Sequence, residues 1–183
     1  MKILLSEIFE DIDNNLSPYQ TALEIAAIVH TGQRRKSENI PYIMHPLRVV
    51  KTLKKWNAPE YIQTIAILHD TIEDAEKNGI SKNLVKREIK KRFNSRIPEI
   101  LNLLTHEEKE GQSKEESYAA YLKRLSQYRD AYWVKMADLY DNLLHQPSPK
   151  QVVKYKTAIK TLQTLGVRVP GDLVDLIRRI SPS

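Results

Sequence analysis

The chain has 183 residues, enough for one domain with a buried core. Its 41% hydrophobic and 28% charged residues describe a globular protein rather than a disordered one. Cysteine is absent, which excludes disulfides, thiolate metal sites and a cysteine nucleophile, and suits a reducing cytoplasm. With 29 Lys and Arg against 23 Asp and Glu the net charge is +6. Anionic partners are therefore favoured, among them phosphate-rich nucleotides and nucleic acid, although such a charge also serves solubility alone.

The N-terminal stretch MKILLSEIFEDID has only three consecutive apolar residues, so it reads as neither signal peptide nor membrane span. No later apolar run approaches the ~18 residues of a membrane helix, and no membrane partner is expected. Ser17-Pro18 predicts an N-cap followed by proline at the first helical position. Ala22, Leu23, Ile25, Ala26 and Val29 then line one face, until Gly32 stops the helix. Arg34 to Pro46 holds two prolines and no amphipathic period, which predicts an ordered loop. Leu47, Val50 and Leu53 mark a short helix, lysine-rich on its outer face, ending near Asn57.

A third helix is predicted from about Pro59, carrying Ile62, Ile65, Ala66 and Leu68 directly into His69 and Asp70. Residues 81–93 read as an amphipathic helix with Leu84, Val85, Ile89 and Phe93 inward and a basic face outward. Ile97–Leu104 is another, with Pro98 near its start. The polar linker HEEKEGQSKEE separates these from helices over Tyr118–Tyr128, Ala131–Leu144 and Gln151–Leu165, the last ending at Gly166. A short helix, Asp172–Ile180, follows Pro170. The expectation is an all-α fold in one domain over 1–183, with a motif-bearing core at about 18–166 and a C-terminal helix within 171–180.

Three segments carry chemistry. In ILHDTIED (residues 67–74) helical spacing puts His69 beside Glu73 and Asp70 beside Asp74, at the end of a run that must be buried. Burying Asp70 costs several kcal/mol unless it is paired or bound to a metal. Taken alone, a His-Asp pair on a helix also reads as a hydrogen-bonded structural pair. In VKMADLYDN (residues 134–142) Asp138 sits inside an apolar helix with Asn142 one turn on. A metal shared with the first segment, or an ion pair to Lys135, would each answer its charge. In QRRKSENIPYIMHP (residues 33–46) Arg34, Arg35 and Lys36 precede a proline-ordered loop ending in His45-Pro46. Such cations suit a polyanionic ligand or form a solvated turn.

Together these segments resemble the hydrolase domain of the Rel/SpoT alarmone enzymes. They look most like the stand-alone small alarmone hydrolases of the HD type, which include the metazoan SpoT homologue. The matching pieces are Arg35–Pro46, Leu68–Asp74 and Lys135–Asn142, within a likeness running from about Leu23 to Leu165. The resemblance implies metal ligands at His45, His69, Asp70 and Asp138, with manganese as the ion. It implies that Glu73 and Asp74 position and deprotonate the attacking water, that Arg35, Lys36 and Tyr155 contact nucleotide or phosphate, and that Asn142 lines the nucleoside pocket. The implied reaction removes pyrophosphate from the ribose 3′ position of guanosine tetra- or pentaphosphate, giving GDP or GTP. No synthetase-like region follows, so the expected activity is hydrolysis alone, on a nucleotide rather than nucleic acid, in the cytoplasm.

His145 falls near the expected nucleoside pocket, where the family tends to carry a different residue, and it bears on the choice between guanosine and adenosine alarmones. His30 reads as structural, and His106 as solvent-exposed in the linker. Competing readings are an HD phosphohydrolase acting on the adenosine alarmone or on NADPH, and an antitoxin-like binding module using the basic helix Lys82–Arg92.

Overall fold

The computed structural model describes residues 7–106 and 114–180; the first six residues and most of the expected polar linker lie outside them. Ten α-helices and one 3-10 turn make up the described chain, whose only β feature is an isolated bridge between Arg34 and Pro41. No helix among the described residues is long and apolar enough to cross a membrane.

Helix starts follow local chemistry. Ser17 opens α1 (Pro18–Val29) with a capping box. Its hydroxyl accepts the Gln20 N–H, and the Gln20 side chain accepts the Ser17 N–H. Ser148 and Gln151 repeat the device at α9 (Pro149–Thr164), which therefore starts two residues before the apolar period suggests. α2 (Met44–Lys55) begins inside the expected loop, placing His45 and Pro46 in its first turn, where proline's missing N–H has no intrahelical acceptor to lose. Asn57 follows in a left-handed conformation (φ 57°).

The helix expected to run through His69 is broken there. α3 spans Glu60–Leu68 and α4 only Thr71–Asp74, followed by a 3-10 turn at Ala75–Asn78 that ends on Gly79 (φ 74°). Side chains take over the ladder at the break. His69 Nδ1 meets the Ala66 carbonyl at 2.7 Å, and the Thr71 hydroxyl donates to the Leu68 carbonyl at 2.7 Å. α5 (Lys82–Arg92), α6 (Arg96–Leu104), α7 (Lys114–Ser126), α8 (Arg129–Leu144) and α10 (Gly171–Arg179) complete the fold. α7 starts four residues before the expected Tyr118.

Two helices organise the core. α3 buries Ile62, Ile65, Ala66, Ile67 and Leu68 completely and packs on α1, α2, α6 and α8. α8 buries Val134, Met136, Ala137 and Leu139 completely and touches α2, α3, α6, α7, α9 and α10. Each buried large aliphatic side chain is worth about 1.5–3 kcal/mol. That gain holds rigid α8, which carries the buried Asp138, and α3, which runs directly into His69 and Asp70.

Candidate metal centre and active site

Four side chains from three segments converge where α2, α3 and α8 meet. His45 Nε2 lies 3.1 Å from Asp138 Oδ1 and 3.5 Å from Asp70 Oδ2. His69 Nε2 lies 3.1 Å from Asp70 Oδ2 and 3.8 Å from Asp138 Oδ1. Both imidazoles are oriented from behind, His69 by the Ala66 carbonyl and His45 by Asp141 Oδ2 at 2.7 Å, so each Nδ1 donates and each Nε2 faces the shared space. Tyr42 donates to Asp70 Oδ2 at 2.6 Å. Lys135 donates to Asp138 Oδ2 at 2.7 Å and Asn142 donates to Asp138 Oδ1 at 2.5 Å. The Lys135 ion pair thus exists, and it occupies one oxygen while the other turns to the histidines.

These groups line a cavity of about 240 Å³ together with Glu73, His106, Tyr118, Tyr121, Lys154 and Tyr155. Glu73 Oε1 accepts the His106 N–H at 2.5 Å; burial, then the nearby Asp70 charge, pushes the Glu73 carboxyl above its usual range. Asp74 goes elsewhere. Its Oδ2 accepts from Gln33 at 2.7 Å and its Oδ1 pairs with Lys77, and it lines a neighbouring basic cavity of about 560 Å³. That second cavity also holds Arg34, Arg35 and Lys36 and shares Tyr42 and Asn142 with the first. Lys36 is exposed there, whereas Arg35 is buried and donates to Asn142 Oδ1 at 3.0 Å.

His145 lines neither cavity; its Nδ1 donates to the Asp141 carbonyl at 2.8 Å at the end of α8. His30 is buried against Tyr42, ring centroids 4.7 Å apart, with Nδ1 2.6 Å from Gln33 Oε1. His106 corrects the expectation of an exposed linker residue. It is half-buried, because its N–H is held by Glu73 and its ring is set against Tyr118 and Tyr121 of α7. Sequence reasoning missed Asp141, Tyr42 and Tyr121. Asp141 had a usable signal, being a third acid on the buried helix α8.

A family model described as an HD domain matches residues 22–163. The chain belongs to the HD domain family. Among curated relatives, a guanosine-3′,5′-bis(diphosphate) 3′-pyrophosphohydrolase of Aquifex aeolicus is 30% identical over 143 residues, 73% of this chain and 19% of that protein. The protein of the same name in Borreliella burgdorferi is 40% identical over 85 residues, 46% of this chain and 11% of the relative. The chain thus spans a fifth or less of the length of these relatives. A solved structure of a metazoan ortholog of SpoT, reported to hydrolyse ppGpp, shares the fold. The TM-score is 0.69 at 22% identity, covering 90% of this chain and 94% of that one.

The centre of this HD domain fits a divalent cation on its own chemistry. His45, His69 and Asp70 offer ligand atoms all within 4.8 Å of one another. Among the described residues His69 Nε2 is buried without a hydrogen-bond partner, since Asp70 is near it but badly aligned for a bond. The electrostatics ask for positive charge at the same point. Burial alone would push Asp138 up; Lys135, His45 and His69 outweigh it and hold the carboxyl well below its usual range. Burial likewise opposes charge on His69, yet Asp70 and Asp138 raise its pKa well above normal. Two imidazoles and two carboxylates suit a borderline-to-hard divalent ion.

Proposed function

We propose that this HD domain is a metal-dependent phosphohydrolase that removes pyrophosphate from the 3′ position of guanosine tetra- or pentaphosphate. The observation that carries the reading is the convergence of His45, His69, Asp70 and Asp138 beside Glu73 in one cavity. The names of these relatives support the choice of substrate. His45, His69, Asp70 and Asp138 hold the cation, for which manganese is our assignment. When bound, the cation supplies Lewis acidity toward a phosphoryl oxygen and makes water easier to deprotonate near neutral pH.

The chain's own residues do the rest. Glu73, with its pKa raised by burial, accepts a proton from the attacking water. A new P–O bond forms as the bond from phosphorus to the 3′ oxygen breaks, and one proton ends on that oxygen. Lys154 and Tyr155, which line the cavity, bind the leaving pyrophosphate. Lys36, in the adjoining basic cavity, meets the remaining phosphates, and Asp74 orders that wall through Gln33 and Lys77. Arg35 contributes by fixing Asn142.

The test is a nucleotide panel with added manganese, resolved by chromatography. The expected result is conversion of guanosine tetraphosphate to GDP and pyrophosphate only when the cation is present. No consumption of guanosine tetraphosphate with any divalent cation would overturn the proposal, and turnover of the adenosine alarmone or NADPH alone would replace its substrate.

A further inference from the structure

Both tryptophans of the chain lie in one cavity remote from the metal ligands. It measures about 310 Å³ and is lined by Trp56, Arg129, Tyr132, Trp133, Arg168 and Pro170. Trp56 closes the C-terminal end of α2, eleven residues after His45 in the first turn, so helical rise alone puts roughly 16 Å between them. Tyr132 and Trp133 belong to the first half of α8, ahead of Asp138. Arg168 and Pro170 come from the segment joining α9 to α10.

The walls are held in place. Trp56 packs edge-on against Tyr140 (centroids 5.9 Å) and its Nε1–H donates to Asp172 Oδ2 at 3.1 Å. All three rings are half-buried against the core, which leaves part of each facing the cavity. The charge on the rim is one-signed. Asp172 is neutralised by Lys55 at 2.8 Å, and Asp130 by Arg96 at 2.6 Å. Arg129 and Arg168 are exposed, and among the described residues neither has an ion pair or hydrogen bond to a carboxylate. Arg129 instead stacks on Trp133, 4.8 Å from the ring centroid, which leaves its N–H edges available to an anion.

We propose that this cavity is a second, non-catalytic binding site for a nucleoside phosphate. Aromatic faces accept a planar base whatever its hydrogen-bonding edge, each stack strengthening binding without reading sequence. The two arginines offer the forked donors that suit phosphate oxygens. The size, at the lower end of the roughly 300–1,000 Å³ range of ligand sites, admits one base and no polymer track. An occupant would bridge the far ends of α2 and α8, the helices that deliver His45 and Asp138.

Because both tryptophans line the cavity and none lines the metal centre, intrinsic tryptophan emission reports on this site directly. The experiment titrates the metal-free full chain with GDP, with guanosine and pyrophosphate as base-only and anion-only controls, exciting at the red edge of tryptophan absorption. GDP is expected to quench emission saturably, guanosine more weakly, and pyrophosphate not at all. Arg129→Ala/Arg168→Ala, two exposed positions that leave the core intact, should weaken GDP binding by about tenfold. The same variant should leave kcat/KM for alarmone hydrolysis unchanged, while Asp138→Asn should keep the quench and lose hydrolysis. No saturable quench by GDP, the same midpoint in the double variant, or loss of the quench in Asp138→Asn would overturn this site. Failure of hydrolysis in the unmodified chain would overturn only the catalytic reading.

Discussion

Replacing Asp141 by Ala tests whether the centre is organised from behind. This carboxylate is 2% exposed. Its Oδ2 accepts His45 Nδ1–H at 2.7 Å, and its Oδ1 lies 3.0 Å from Arg48 Nε. Removing it strands a buried imidazole N–H and takes one of two acids from Arg48. Breaking a buried ion pair costs about 3–5 kcal/mol. The loss here is smaller, because Arg48 is 20% exposed and keeps its paired bonds to Glu38 at 3.0 and 2.5 Å. About 2–4 kcal/mol remains, a fall in Tm of roughly 5–15 °C for a domain of this size. Asp141→Asn keeps an acceptor for His45 and should lose about half as much. With the imidazole no longer aimed, cation affinity should drop about 10- to 100-fold. Thermal denaturation of the metal-free chain and calorimetric manganese titration read the two effects separately. An Asp141→Ala protein with unchanged Tm and cation affinity within about twofold of the parent would refute the reasoning.

Glu73→Gln should lower kcat by about 10²- to 10⁴-fold while manganese titration stays near that of the parent, since the side chain lines the cavity outside the four ligands. Lys36→Ala should raise KM and leave kcat in place, and its KM should respond less steeply to salt, because this exposed cation sits in the adjoining cavity. His145→Thr should leave the ratio of kcat/KM for guanosine and adenosine alarmones unmoved, because the ring lines neither cavity and bonds the Asp141 carbonyl; a shifted ratio would bring it back into the pocket. His30 predicts a pH effect. Burial lowers its pKa from 6.5 against the Gln33 hydrogen bond, so below pH 6.5 the unfolded chain takes up more protons at this site than the folded one. Its contribution to stability is therefore present above pH 6.5 and is lost as pH falls toward the folded pKa. Urea titrations of the parent and His30→Asn at several pH values should show the parent losing more stability on acidification; parallel curves would show that His30 does not titrate differently on folding.

Much of this molecule was legible before any coordinates, and the reason is local. Ser17-Pro18 before an apolar period names a helix start because the capping bonds span only three residues. Asp70 and Asp138 stood out because a carboxylate among residues as apolar as Leu68 and Leu139 needs compensation wherever the partner comes from. Periodicity failed where side chains replaced the backbone ladder. The apolar pattern through His69 still reads as helix, yet the His69 and Thr71 bonds to preceding carbonyls break it. It failed again over which acid of a pair enters the cavity, since Glu73 and Asp74 are adjacent and equivalent in pattern, and only the fold sends one to His106 and the other to Gln33 and Lys77. Asp141 looked like one more charge on α8 until α2 packed across it and brought His45 Nδ1 to 2.7 Å. The pairing of Trp56 with Trp133, and of Arg129 with Arg168, has no sequence signal at all. The sequence by itself determined which faces turn inward and which charges would need partners. Which inward faces meet was decided by the packing of whole helices, because long-range contacts depend on the summed shape of many side chains rather than on any spacing within one segment.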